Sequence, residues 1–287
     1  MKRGRLALAL LLAPGLLWLM AFVLVPLGFL VVMSFWTSSI FGTVPDFSFA
    51  NYQRFLDTPL YAELLLKTLR IGIVTTVISA VISYPIAYFI TRQRGWRKFA
   101  LVVLLFLPFW TSYVVRTFVW LPILGRNGAI NQALLGLGVI DEPLEWLLYN
   151  EGIVYLGLVY VYTLFMTLPI YLSLEKVDPR LIEAAMDLGA RPADIFLRIL
   201  LPLTWPGILS GGIMVFLLTV SAYVTPQLLG GPSGIMFGNL IAAQYLTGNN
   251  WAFGAALSVV LAGVVLLLLL VTGRWVGIQQ VFSGGRS

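Results

Sequence analysis

Polar residues in this 287-residue chain are gathered into short clusters, and long apolar runs separate them. The runs predict helices over about 7–33, 68–91, 100–123, 151–174, 208–230 and 253–274. Each covers the ~20 residues that a helix needs to cross a ~30 Å hydrocarbon core. None alternates apolar with polar in the manner of a barrel strand, so helices are the expected spanning structure. The expectation is an all-α integral membrane protein of six transmembrane helices in a single domain, 1–287. No charge occurs between Leu6 and Met33. A secretory signal has an apolar core of about 7–15 residues, so this longer run reads as an uncleaved first helix, with Pro14 and Pro26 as candidate kinks. Connectors 34–67, 124–150 and 231–252 carry much of the Gly, Asn and Pro punctuation.

The most informative polar cluster is Asp178–Pro202, within the connector 175–206. Asp178 before Pro179 is a helix start, with a carboxylate able to cap free N–H groups and a proline suited to the first turn. Gly189 is placed to end that helix in the left-handed conformation, and Pro192 opens a second one. At helical spacing Leu181, Ala184, Ala185 and Leu188 share one side, and Arg180, Glu183 and Asp187 the other. The alanines keep the first side low, which suits a helix lying in a partner's groove. A solvated loop with two capped turns would have the same composition.

Charge placement gives an orientation. With the N-terminus inside, 13 of the 18 Lys and Arg residues fall in cytoplasmic segments, most decisively Arg92, Arg94, Arg97 and Lys98. Both termini and the 175–206 connector are then cytoplasmic. Hydrophobic residues make up 60% of the chain and charged ones 10%, with a mean hydropathy of +0.94, far from a soluble domain. The formal charge of +6 follows from the loop asymmetry and suits anionic headgroups, so no nucleic-acid partner is expected. With neither Cys nor His, disulfides, thiolate nucleophiles and the commonest general base and metal ligand are excluded. No GxxxxGK[ST] loop occurs. The expectation is a chain with no catalytic or metal site, no bound cofactor and no ATPase activity of its own.

Inside the third predicted segment Arg116 is the one charge. An intramembrane arginine normally faces a bundle interior or a water-filled cavity, although Arg116 is also near enough to the outer end to snorkel. Trp110, Tyr113 and Arg116 recur at helical spacing and are expected to share a face that lines a translocation pathway. In the fifth segment Ser221, Tyr223, Thr225, Pro226 and Gln227 interrupt the apolar run, with Pro226 as the expected kink and Tyr223 and Gln227 as pathway candidates. A plain helix end at the interface explains the same residues. Gly207 and Gly211 form a GxxxG pattern that permits close helix contact.

Glu183-Ala184-Ala185, Gly189, Ile199 and Leu201-Pro202 fall at the spacing EAA, three residues, G, nine residues, I, one residue, LP. This resembles the EAA signature of bacterial ABC importer permeases. Pro108–Arg116 (PFWTSYVVR), Gly128–Asn131 (GAIN), Leu201–Ile208 (LPLTWPGI) and Thr225–Gly231 (TPQLLGG) narrow the resemblance to the first permease subunit of the spermidine/putrescine branch. The resemblance implies a type I ABC importer (MetI-like) permease fold in the inner membrane. It also implies a cytoplasmic coupling helix at Asp178, Glu183, Ala184, Ala185, Asp187 and Gly189, seated in a cleft of the ATP-binding subunit. The implied partners are a second homologous permease subunit, two ATP-binding subunits that hold ATP and Mg, and a periplasmic solute-binding protein. Polyamine is the implied cargo, with opines, amino acid derivatives, phosphonates, iron or sulfate as alternatives in the wider family. An ion-coupled secondary transporter is the reading from another class, but intramembrane carboxylates of the kind it uses are not found in the predicted segments.

Overall fold

The structure, a computed structural model, describes residues 11–15, 17–39 and 42–283, with side chains as far as 273. Lys2, Arg3, Arg5, Arg286, the start of the first predicted helix and the Arg274 side chain therefore lie outside the described residues. Contacts divide the chain into two units, one of Glu63–Asn239 and one of the residues before 63 and after 239.

In the smaller unit, α1 (Leu11–Met33) contains a π-helical turn at Met20–Leu24, just before Pro26. The connector that follows is structured. Strands β1 (Thr37–Ser39) and β2 (Gly42–Val44) pair antiparallel with Thr37 opposite Val44. Helix α2 (Ala50–Asp57) follows, and Asn51 ties its start back to α1 by donating to the carbonyls of Ser34 and Trp36 at 2.9 and 2.8 Å.

Helix α3 (Pro59–Thr91) begins nine residues before the predicted 68 and belongs to both units. Residues 59–67 of the predicted connector 34–67 are its first turns, and the charged Glu63, Lys67 and Arg70 lie along them and just beyond. Two of these charges have partners across the larger unit: Lys67 donates to the Ser233 carbonyl at 2.6 Å, and Arg70 pairs with Glu151.

The third predicted helix, 100–123, is not continuous. Helix α4 (Gly95–Phe106) tightens into a 3-10 turn at Leu107–Trp110, and the segment after it turns away by 92°. Thr111 causes the break: its N–H and hydroxyl both bond the Pro108 carbonyl, at 3.2 and 2.7 Å, and its backbone is extended. The chain resumes as α5 (Tyr113–Phe118), α6 (Trp120–Leu124) and α7 (Ala129–Gly136). The fully buried Asn131 holds the next connector, donating to the Gly125 and Leu144 carbonyls and accepting from the Leu144 N–H at 2.8 Å.

Helix α8 (Glu151–Leu174) occupies the predicted 151–174 and is the most enclosed long helix. Asn150 caps its start by accepting from the Ile153 N–H at 3.1 Å. An ion pair fixes it at each end, Glu151 to Arg70 of α3 at 2.6 Å and Glu175 to Lys98 of α4 at 2.5 Å. The fully buried Val154, Leu158, Met166 and Ile170 form the core with Ile71 of α3 and Val215.

The 178–206 region and the fifth predicted helix also divide differently from expectation. Helix α9 (Pro179–Asp187) stands alone. From Pro192 the chain runs through α10 (Pro192–Ile195) and a π-helical turn at Phe196–Leu200 into α11 (Leu201–Val220) as one apolar span. The second half of the predicted connector is thus the first half of a membrane helix. That helix ends at Ser221, whose hydroxyl bonds the Leu217 carbonyl at 2.9 Å. The expected kink at Pro226 does not occur. Pro226 lies in the first turn of a separate helix, α12 (Val224–Leu229), where its missing N–H has no partner to lose. Two further short helices, α13 (Gly231–Gly234) and α14 (Phe237–Leu246), lead to α15 (Trp251–Ser283), which contains the predicted 253–274.

Gly207 and Gly211 of α11 lie against α8. A Cβ on Gly207 would sit 2.5 Å from the Pro169 carbonyl oxygen, and one on Gly211 3.2 Å from the Met166 Cα. Gly157 of α8 makes room for side chains of α12, where a Cβ would meet Thr225 Cγ2 at 2.8 Å and Leu229 Cδ1 at 2.9 Å. Helices α8 and α11 therefore approach backbone to backbone, as small-residue seams allow in membranes.

Candidate coupling site and the polar break

Helix α9 is closed at both ends by the residues expected to do it. Asp178 accepts from the Arg180 N–H at 3.0 Å, with Pro179 at the first helical position. At the other end Gly189 has φ +79°, the Gly189 N–H reaches the Met186 carbonyl at 2.9 Å, and the Ala190 N–H reaches Ala185 at 3.0 Å. That pair of bonds is a Schellman cap, which needs a residue that tolerates positive φ. No atom lies within 4 Å of where a Gly189 Cβ would be, so conformation alone selects glycine there.

The helix does not present all four predicted apolar positions to one side. Ala185 is buried against the larger unit's own core with Ile182 beside it, while Leu181, Ala184 and Leu188 face outward, Leu188 89% exposed. The inner pair seats the helix and the outer three make a free apolar stripe. The stripe is flanked by Arg180, Glu183 and Asp187, all exposed and without an ion pair among the described residues. Behind α9, the Lys98–Glu175 pair joins the connector's first residue to the start of α4.

The pathway candidates do not form one face. Trp110 belongs to the 3-10 turn and is 81% exposed, whereas Tyr113 and Arg116 belong to α5 beyond the break. The extended Thr111 and Ser112 between them destroy the i, i+3 relation assumed from spacing. Arg116 folds back over the break instead, its Cζ 4.6 Å from the Phe109 ring, a cation–π contact that offsets part of its desolvation. Tyr113 shares a hydrogen bond of 2.7 Å with Thr225, and Thr117 lies 3.3 Å from the same hydroxyl. The two breaks, one after α4 and one after α11, are therefore joined through α5 and α12. Tyr223 and Gln227 are exposed on that second break. The Tyr223 carbonyl accepts from Asn239 at 2.8 Å. Thr225, Thr117 and Phe109 were not picked out as site residues by sequence reasoning. Phe109 and Thr225 do lie in the quoted stretches PFWTSYVVR and TPQLLGG, which was the available signal.

The spermidine/putrescine transport system permease protein PotB of Escherichia coli K12 is 39% identical over 258 residues, covering 90% of this chain and 93% of that protein. This chain belongs to the PotB family of ABC transporter permeases. The Haemophilus influenzae PotB is 37% identical over 90% of each chain. The inner membrane ABC transporter permease protein YdcU of E. coli is 32% identical over 94% of this permease. No protein-family model matches the chain. Among solved structures, a bacterial ABC transporter involved in import of the acidic polysaccharide alginate shares the fold at a TM-score of 0.71, covering 96% of both chains at 18% identity. The MetNI methionine ABC transporter does so at 0.55, covering 76% of this permease and 94% of that chain. The permease therefore has the MetI-like ABC permease fold.

Proposed function

We propose that this permease is one membrane subunit of an ATP-driven, binding-protein-dependent importer, that its N- and C-termini and α9 are cytoplasmic, and that its cargo is a polyamine such as spermidine or putrescine. The exposed Leu181, Ala184 and Leu188 stripe on a helix capped at both ends carries the coupling part of this reading. A partner ATPase grips α9 there. Asp178 and Gly189 keep the helix intact, Glu183 and Asp187 offer charge at the rim, and Ala184 lets the partner approach the backbone. Ala185 acts from the inner side by seating α9 on the bundle.

ATP and Mg belong to two ATP-binding subunits, and a second homologous permease completes the membrane assembly. Closure of the ATP-binding pair moves α9, and α11 carries the displacement into the membrane through the π-helical turn at Phe196–Leu200. A periplasmic binding protein delivers the solute. Kinship with spermidine/putrescine permeases supports the cargo, and Trp110, Tyr113, Arg116, Tyr223 and Gln227 at the two breaks are the proposed pathway residues.

The test is uptake into vesicles holding the permease, its neighbouring permease and ATPase subunits, with binding protein outside and ATP inside. The expected result is accumulation of labelled spermidine that needs both ATP and binding protein and is inhibited by putrescine. Uptake driven by an ion gradient without ATP overturns the importer reading. Transport of 2-aminoethylphosphonate with no effect of either polyamine overturns the cargo alone.

A further inference from the structure

A cavity of about 810 Å³ lies in the larger unit between α3, α9 and the α10–α11 span. Its walls are apolar side chains, among them Ala80, Met186, Phe196 and Trp205, with the Tyr84 hydroxyl satisfied by Thr204 at 3.0 Å. The lining has one charge, Arg92, just past the end of α3. From Ala80 to Arg92 is 12 residues, ~18 Å of helix at ~1.5 Å per residue, close to half of a ~30 Å hydrocarbon core. The cavity thus has the depth of one leaflet and a cation at its shallow end.

The polar rim is equally specific. Arg92 bonds the Tyr88 hydroxyl and its Cζ lies 4.9 Å from that ring, so its guanidinium is held against a residue of the cavity wall. Arg94 in the same turn and Arg97 in the first turn of α4 follow it in sequence, and among the described residues none of the three pairs with a carboxylate. A fork-shaped guanidinium without an anion, over a leaflet-deep apolar slot, matches a phosphodiester joined to an acyl chain.

We infer that this cavity is a binding site for an anionic phospholipid, with an acyl chain along Ala80, Tyr84 and Trp205 and the phosphate on Arg92. The chain would lie under Ile182 and Met186, so the lipid supports α9 from the bundle side and leaves the Leu181, Ala184 and Leu188 stripe free. The inference rests on α3 spanning the bilayer and is independent of the cargo.

Trp205 supplies the readout. The assembled importer is reconstituted in vesicles containing brominated phosphatidylglycerol or brominated phosphatidylcholine at equal mole fraction. Subtracting the emission of a W205F assembly isolates Trp205. The expected result is quenching at least twofold stronger with the anionic lipid, a preference that R92Q removes. Native mass spectrometry should show one anionic phospholipid retained per wild-type permease and lost in R92Q, a measure that does not depend on W205F folding. Equal quenching by both lipids, or an unquenched Trp205 because the second permease subunit fills the slot, overturns the inference. Spermidine uptake enters neither measurement, so failure of the cargo reading and failure of the lipid site are told apart.

Discussion

Replacing Gly207 by alanine adds one methyl group at the tightest point between α8 and α11. Its Cβ would lie 2.5 Å from the Pro169 carbonyl oxygen and 2.8 Å from the Ser173 Cβ. An unstrained C···O contact is ~3.3–3.6 Å, so the helices must part by about 1 Å. The Ser173 hydroxyl, which is also in the way, can rotate aside, but the Pro169 carbonyl and the Ser173 Cβ are fixed to the backbone and no rotamer change moves them. A gap of that size forfeits up to about half of the dispersion well for each pair along the seam, on top of ~1–3 kcal/mol of overpacking. The expected loss is about 3 kcal/mol. Gly212, five residues on, is the internal control, because its Cβ would meet Thr76 Cγ2 at an ordinary 3.5 Å. Alanine there gains up to ~1 kcal/mol of helix propensity. The two variants should differ by about 4 kcal/mol in reversible unfolding by SDS in mixed micelles, followed by tryptophan fluorescence. A difference below about 1 kcal/mol refutes the backbone-contact account of the seam.

Gly189→Val forces a β-branched residue to φ +79° and should cost ~1–3 kcal/mol, while E183K leaves stability unchanged; both should lower ATP-driven uptake at least tenfold with normal membrane insertion, measured by transport and immunodetection in the same vesicles. Asn131→Ala leaves the half-buried Leu144 N–H and carbonyl without their Asn131 partner, while the Gly125 carbonyl keeps its bond from the Gly128 N–H, and thermal unfolding should report a loss of about 2 kcal/mol, with less than about 0.5 counting against the loop-fixing role. Glu151→Gln removes the charge facing Arg70, whose side chain is 59% exposed, so the loss should stay within ~1 kcal/mol and vanish in high salt; a larger, salt-independent loss overturns that reading.

The sequence made helix α9 legible to the residue because its determinants are local. Asp178, Pro179 and Gly189 act through their own backbone, and a cap needs no knowledge of the rest of the fold. The direction of the helix was only half legible, since Ala184 and Ala185 share a type but only Ala185 finds a tertiary partner. Apolar length located most of the spans. It failed at the third and fifth because hydropathy is blind to whether a helix continues: Thr111 and Ser221 end helices by bonding carbonyls of their own preceding turn, in stretches whose neighbours remain apolar. The start of α3 was missed for the opposite reason. Lys67 fell in the predicted connector and Arg70 just inside the predicted helix, but Ser233 and Glu151, more than 80 positions away, complete them.

The Gly207 and Gly211 seam has a kinematic consequence. Where backbone meets backbone there is no side chain whose rotamer could absorb sliding, so α8 and α11 move as one solid body, pinned to α3 and α4 by the two ion pairs. Deformation is left to the elbows at Thr111–Ser112 and Ser221–Tyr223, whose following helices α5 and α12 are fastened to each other by a Tyr113–Thr225 hydroxyl contact. With Thr117 3.3 Å from the same Thr225 hydroxyl, one latch centred on Thr225 joins the two elbows, and neither can swing alone without breaking it.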